Sequence, residues 1–256
     1  MQTDLSANAG LALAFDGTEL RFGGGIQPVT PEVRLAGEMK EVFYAPAAVD
    51  PKQQLYFMYR GVHRKEDEEL IRRYGVRYDI TIIPPALLGP EYVKTAGHYH
   101  PAAPGTNKSY PEVYEVLHGQ AHYLLQYLNP ETGEVEEVVL FEAGPGDKVV
   151  IPPNWGHVTI NPSNETLVMA NWVADGFSSL YEPFAKLGGA AYYEVRVQGE
   201  STFVANPHYD WVPQLQRRLA RQYRELGLVK ETPLYQAFLA NPDTFIYLTD
   251  PEKYPS

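Results

Sequence analysis

The sequence predicts an all-β core of antiparallel strands, closed as a barrel or stacked as a sandwich, with helical extensions at both ends. From Gly75 onward, short runs of alternating or apolar residues are broken by Pro and Gly at the spacing of small β-proteins. No stretch of that region is long and periodic enough for the helix of a βαβ crossover, which points to antiparallel pairing. The 256 residues are 44% hydrophobic and 12% aromatic, enough to bury a sizeable core.

In chain order, residues 1–25 read as irregular, and the glycines before Ile26 read as a loop, because no Gly-Lys-Ser/Thr follows them. Thr30-Pro31 is a helix start, with a capping hydroxyl and Pro at the first helical position, and predicts a helix to about Phe43. Gln54–Arg60 reads as a strand, and Glu66 to Tyr74 as a charged helix stopped by Gly75. Strands follow over Val76–Ile83 and near 91–100, 111–117, 121–128, 135–142, 147–151, 157–161 and 166–173, with a hairpin loop at Asn129–Gly133. Beyond residue 174, Tyr192–Val197 is a strand. Leu215, Leu219 and Tyr223 at i, i+4 and i+8 predict a helix over 213–226, and Thr232-Pro233 caps a last short one. With no internal repeat and no Ser/Gly linker, the expected organisation is an extension over 1–74, the barrel over 75–200 and a second extension over 201–256.

The chain has no cysteine, so disulfides and thiolate chemistry are excluded and any metal must take His and carboxylate ligands. A net charge of −11 argues against nucleic acid or an anionic membrane as partner. The first residues lack a basic leader, and no apolar run approaches the roughly 20 residues of a membrane span. A soluble, cytoplasmic protein is expected.

The chemistry concentrates in Thr95-Ala-Gly-His-Tyr-His100. His98 and His100 stand two apart in a strand-like run, so period-two alternation sends both imidazoles to one face. Glu112 opens the next apolar run and His157 follows Pro152-Pro-Asn-Trp-Gly, giving three imidazoles and a carboxylate for a divalent transition ion. Glu112 shares its face with Tyr114. His118 and His122 flank a turn at Gly119 and are poorer ligands, while His63 and His208 lie in polar loops.

His98-x-His100, Glu112 with Gly119 seven residues on, Gly146-x5-Pro152 and His157-x3-Asn161 resemble the two motifs of the cupin superfamily, whose fold is an antiparallel jelly-roll barrel. Glu91–His100, Pro111-Glu-Val-Tyr114, Val150–Asn161 and Ala174–Tyr181 narrow it, being similar to the cupin-type phosphoglucose isomerases over roughly residues 75–200. The resemblance implies that His98, His100, Glu112 and His157 hold one divalent ion: iron(II), manganese, nickel or zinc. It implies further that Thr81, Thr95 and Gly97 help bind a sugar phosphate, that Tyr114 and Tyr181 line the pocket, and that the chain is a homodimer.

Two places test this carry-over. Unbroken alternation back from His98 turns Thr95 away from the metal face and Lys94 toward it, so Thr95 joins the site only if pairing is irregular at Ala96-Gly97. Regular pairing would instead make Lys94 the phosphate contact, where its plain reading is a solvated surface lysine. Eleven residues separate His100 from Glu112, a loop longer than the compact motif, which either carries Lys108 over the pocket as a lid or is a surface insertion.

The implied reaction interconverts glucose 6-phosphate and fructose 6-phosphate without a redox cofactor. Glu112 is the expected base for an enediolate route, direct hydride transfer is the rival, and His157 either assists ring opening or only binds the ion. A metal-dependent dioxygenase and a non-catalytic sugar-binding protein are the alternative functions.

Overall fold

The left-handed conformation of Gly75 (φ +63°) ends the helix Glu68–Tyr74 and turns the chain into the long strand Val76–Ile83. The computed structural model describes residues 2–17, 19–129 and 131–255. Ten strands make its two main sheets: β1 Glu32–Leu35, β2 Gln54–Tyr59, β3 Val76–Ile83, β4 Glu112–His118, β5 Ala121–Leu128, β6 Val135–Ala143, β7 Lys148–Ile151, β8 Trp155–Ile160, β9 Leu167–Ala174 and β10 Leu215–Leu219. One sheet has the order β7-β4-β9-β3-β2-β1 and the other β8-β5-β6-β10. This is the expected jelly-roll arrangement of an all-β core.

Why β9 is buried at every position follows from its place in the larger sheet, which is covered on both faces. Its inner face, with Val116 and Met169, packs against Tyr123, Leu125 and Val139 of the smaller sheet. Its outer face, with Tyr78, Val113 and Trp172, is covered by the helix Leu234–Ala240. Trp172 stacks on Tyr235 at a ring distance of 5.7 Å and packs at a tilt on Phe238 at 4.4 Å, and its Nε1 donates to the Leu234 carbonyl at 3.2 Å. The C-terminal helix therefore completes the core rather than decorating it.

Register fixes which side chains meet on the inner face. Thr81 lies opposite Met58 and Met169. Asp79, Asn171 and Tyr114 form the next row, and Arg77, Val173 and Glu112 the one after. Side chains directly opposite in a sheet point the same way, so three rows from four strands converge on one space.

Several elements differ from the sequence reading. The helix expected from Thr30 to Phe43 is strand β1, paired with β2, followed by 3₁₀ turns at Ala36–Glu38 and Lys40–Val42. Pro31 starts an edge strand as readily as a helix, and sheet pairing decided it. The helix expected over 213–226 is strand β10. It pairs parallel to β6, an exception to the antiparallel rule, and its Leu219 is 76% exposed, so the i, i+4 spacing marks no apolar stripe. Residues 1–25, expected to be irregular, contain a three-stranded antiparallel sheet over 3–22. The short helix after Thr232-Pro233 is present, though Pro233 is its N-cap and no side chain caps it; the helix before Gly75 is as expected, and the Asn129–Gly133 loop closes the β5–β6 hairpin, Pro130 lying outside the described residues.

On the outer face Glu115 pairs with Lys148 at 2.7 Å and accepts the Leu234 N–H at 2.7 Å, tying β4 and β7 to the C-terminal helix. Burial pushes the Glu115 carboxyl up to about 7, against the pull of Lys148. Replacing Lys148 by Met leaves that carboxylate buried without its cation and is expected to cost about 3–5 kcal/mol. Adding Glu115→Leu should recover most of it; chemical denaturation of the single and double variants measures both.

Candidate active site

His98, His100, Glu112 and His157 come together as the sequence predicts. One ligand atom from each lies within 4.8 Å of all the others. Glu112 enters from the first position of β4, His157 from β8, and His98 and His100 from the irregular segment between β3 and β4. His98 pairs with His157 and Lys94 with Ile160 as isolated bridges, so four steps on one strand face three on the other. That extra residue is the irregularity expected at Ala96-Gly97. Thr95, Ala96, Gly97 and His98 all line the same cavity in consequence.

Glycine is required at the bulge. Gly97 has φ +75°, and a Cβ there would stand 2.5 Å from Val158 Cγ2 and 3.2 Å from the Phe184 ring. Thr95 is anchored on both sides: its N–H donates to the Thr159 carbonyl at 2.8 Å, and its Oγ1 accepts the Thr159 N–H at 3.0 Å.

The four ligand atoms suit an ion better than one another. The Nε2 atoms of His98 and His100 are 3.1 Å apart, and Glu112 Oε2 lies 3.4 Å from His100 Nε2 and 3.2 Å from His157 Nε2. Nδ1 of His100 donates to the Tyr110 carbonyl at 2.8 Å, which leaves its Nε2 a bare lone pair aimed at the cluster. These spacings are those of neighbouring ligands each about 2.0–2.2 Å from a common centre. Burial, then the adjacent His157 and His100, hold His98 well below its ordinary pKa; burial lowers His157 too, against the pull of Glu112. Burial alone would raise Glu112, but His100 and His157 outweigh it and hold the carboxyl well below its usual range. Neutral imidazoles and an ionised carboxylate are the forms that bind metal, so the residues fit a divalent ion.

His98, His100 and Glu112 line a cavity of about 380 Å³, with His157 buried behind them. Thr81, Thr95, Gly97, Tyr114 and Tyr181 all line it. The Tyr114 hydroxyl is 3.2 Å from His157 Nε2, and burial raises its pKa well above the ordinary value, which keeps it protonated. The Tyr181 ring is 5.5 Å from that of His98.

Other candidates are placed elsewhere. Lys94 is neither solvated nor in the cavity: it is buried, pairing with Glu91 at 2.6 Å and donating to the Val42 carbonyl at 2.7 Å. Lys108 pairs with Glu252 at 3.1 Å, and Ser109 and Asn154 hold the loop by reciprocal bonds, so Lys108 is turned to the C-terminal region and does not line the cavity. His122 pairs with Glu194, His118 packs on Phe15, His63 Nδ1 contacts the Gly61 carbonyl and His208 is exposed.

The sequence reading missed Asn171, Tyr56, Arg60, Arg77 and Asp79, all of which line the cavity. Asn171 Nδ2 donates to Glu112 Oε1 at 2.6 Å and so turns Oε2 toward the imidazoles. An Asn inside the apolar run Leu167–Ala174 was the available signal.

Residues 34–212 match a family model described as glucose-6-phosphate isomerase. Glucose-6-phosphate isomerase of Pyrococcus abyssi is 30% identical over 197 residues, covering 75% of this chain and 96% of that protein. That of Thermococcus kodakarensis is 32% identical over 153 residues, 58% and 71% of the two chains. Among solved structures, oxalate decarboxylase from Bacillus subtilis overlaps 49% of this chain and 27% of that one, at 16% identity and a TM-score of 0.34. An overlap that partial bears on neither fold nor reaction.

Gly97→Ala should both strain the backbone and push Val158 and Phe184 aside. A fall in melting temperature is expected, with metal content reduced after gel filtration. Unchanged values of both would mean that the bulge does not set the ligand geometry.

Proposed function

The chain belongs to the glucose-6-phosphate isomerase family, and we propose that it interconverts glucose 6-phosphate and fructose 6-phosphate with one divalent ion held by His98, His100, Glu112 and His157. The observation that carries the metal-dependent reading is the convergence of three imidazole nitrogens and one carboxylate oxygen within 4.8 Å of one another, three of the pairs at 3.1–3.4 Å, at the wall of a substrate-sized cavity. Iron(II), manganese, nickel and zinc all accept such donors. When bound, the ion would supply Lewis-acid polarisation of the oxygens on adjacent sugar carbons.

The chain's own residues divide the remaining work. The Thr81 and Thr95 hydroxyls and the open backbone at Gly97 supply polar groups for the phosphorylated end, and the Tyr181 ring covers the sugar. Tyr114, kept protonated by burial, donates toward a substrate oxygen. His157 is buried with Nε2 in the cluster, and its Nδ1 has no partner among the described residues, so its assigned role is ligation rather than ring opening.

Isomerisation moves the hydrogen on C2 to C1 and the hydroxyl proton on O2 to O1. As a base, Glu112 would carry the carbon-bound hydrogen as a proton. Two features make it a poor one: its carboxyl sits well below the ordinary range, and Oε1 already accepts from Asn171. They favour direct passage of that hydrogen with its electron pair from C2 to C1, with Glu112 as ligand.

One assay tests both parts. Chelated protein should not convert fructose 6-phosphate, and adding back iron(II), manganese, nickel or zinc singly should restore turnover with at least one. Absence of turnover with all four would remove the metal-dependent reading. Run in D₂O, the reaction should leave the product free of carbon-bound deuterium; deuterium at C2 of glucose 6-phosphate would reinstate Glu112 as base.

A further inference from the structure

Arg34 stands directly opposite Tyr56 in the β1–β2 pairing. Both side chains therefore leave the same face of the sheet, and Tyr56 faces the cavity. The Arg34 guanidinium lies 5.7 Å from the centroid of the Tyr181 ring, whose other neighbour is His98. The Tyr56 hydroxyl accepts the Ala96 N–H at 3.4 Å. Burial pushes that hydroxyl up to about 12, with the charge of Arg34 opposing the shift. Arg34 thus sits at the corner where β1, Tyr181 and the Thr95–Gly97 bulge meet.

Its neighbours on this face are already neutralised. Arg60 pairs with Glu32 at 3.1 Å and with Asp79 at 3.4 Å, and Arg77 with Asp79 and Asp175, both at 2.9 Å. Arg34 is half-buried, and among the described residues no carboxylate comes within ion-pairing distance of it. Glu32, two residues along the same face of β1, is turned to Arg60. A half-buried guanidinium without a counter-charge, beside a cavity whose other end holds a candidate metal shell, is a place for an anion. Threonine hydroxyls and a bulged backbone offer hydrogen bonds but no positive charge.

We propose that Arg34 binds the phosphate group of the sugar phosphate, acting with the bulge at Thr95–Gly97 as the chain's selector for phosphorylated over free sugar. This rests on the isomerase reading for the substrate, while the charge argument itself concerns phosphate alone. A purely structural Arg34 would do no more than prop the Tyr181 ring, and the two roles part in what they do to phosphate affinity.

The test uses the metal-loaded full chain and its Arg34→Met and Arg34→Lys variants. Calorimetry measures binding of inorganic phosphate, kinetics measures kcat and KM for fructose 6-phosphate, and elemental analysis checks metal content. Arg34→Met should weaken phosphate binding and raise KM about ten- to hundredfold, with metal content kept and the loss greater in KM than in kcat. Arg34→Lys should recover part of both. Phosphate affinity unchanged in Arg34→Met would overturn the proposal, whatever happens to kcat. If the wild type turns over no fructose 6-phosphate with any of the four metals, the isomerase reading fails, and the phosphate titration still decides the role of Arg34.

Discussion

Everything at the site depends on one mismatch in strand pairing. Lys94 to His98 takes four steps where Ile160 to His157 takes three. The surplus residue is absorbed at Ala96-Gly97, and only glycine reaches the required φ without striking Val158. On one side of the bulge, alternation delivers His98 and His100 to the cluster. On the other it brings Thr95 into the cavity and sends Lys94 to Glu91 in the protein interior. A regular ladder would have exchanged those two residues and placed an ammonium where the chain has a hydroxyl.

The larger sheet then does what a bulge cannot, holding the carboxylate ligand and its supports in register. Glu112 and Tyr114 leave β4 on one face, and Asn171 crosses from β9 to fix the carboxylate. His100 and His157, against the push of burial, hold Glu112 ionised. Buried charge is paired elsewhere as well, at Glu91–Lys94 and Glu115–Lys148. Arg34 departs from that habit among the described residues near the cavity. In a chain of net charge −11, one local cation beside the cavity outweighs, for an anion, a diffuse field that salt screens over roughly 8 Å.

The parts legible in the sequence were those set by local periodicity. Alternation placed His98 with His100 and Glu112 with Tyr114, and the glycine in Ala96-Gly97 marked the bulge. Long-range pairing was not legible. β1 and β10 take their strand form from neighbours at the sheet edge, against the helix signals of Thr30-Pro31 and of Leu215, Leu219 and Tyr223. For the same reason Arg34 was invisible in the sequence, since only its register opposite Tyr56 brings it beside the residues that line the cavity. Lys94 misled in the other direction, because a lysine in a polar run gives no sign of a buried glutamate three residues earlier. The family match covers residues 34–212, so the C-terminal helix that packs on Trp172 lies beyond it.

The central claim is that three imidazoles and one carboxylate form a single metal shell. X-ray absorption at the metal edge of protein reconstituted with zinc or manganese tests it most directly. The account predicts imidazole scattering fitted by three rings with an added oxygen shell, reduced to two rings in His98→Ala. A shell of oxygen ligands without imidazole scattering would contradict it.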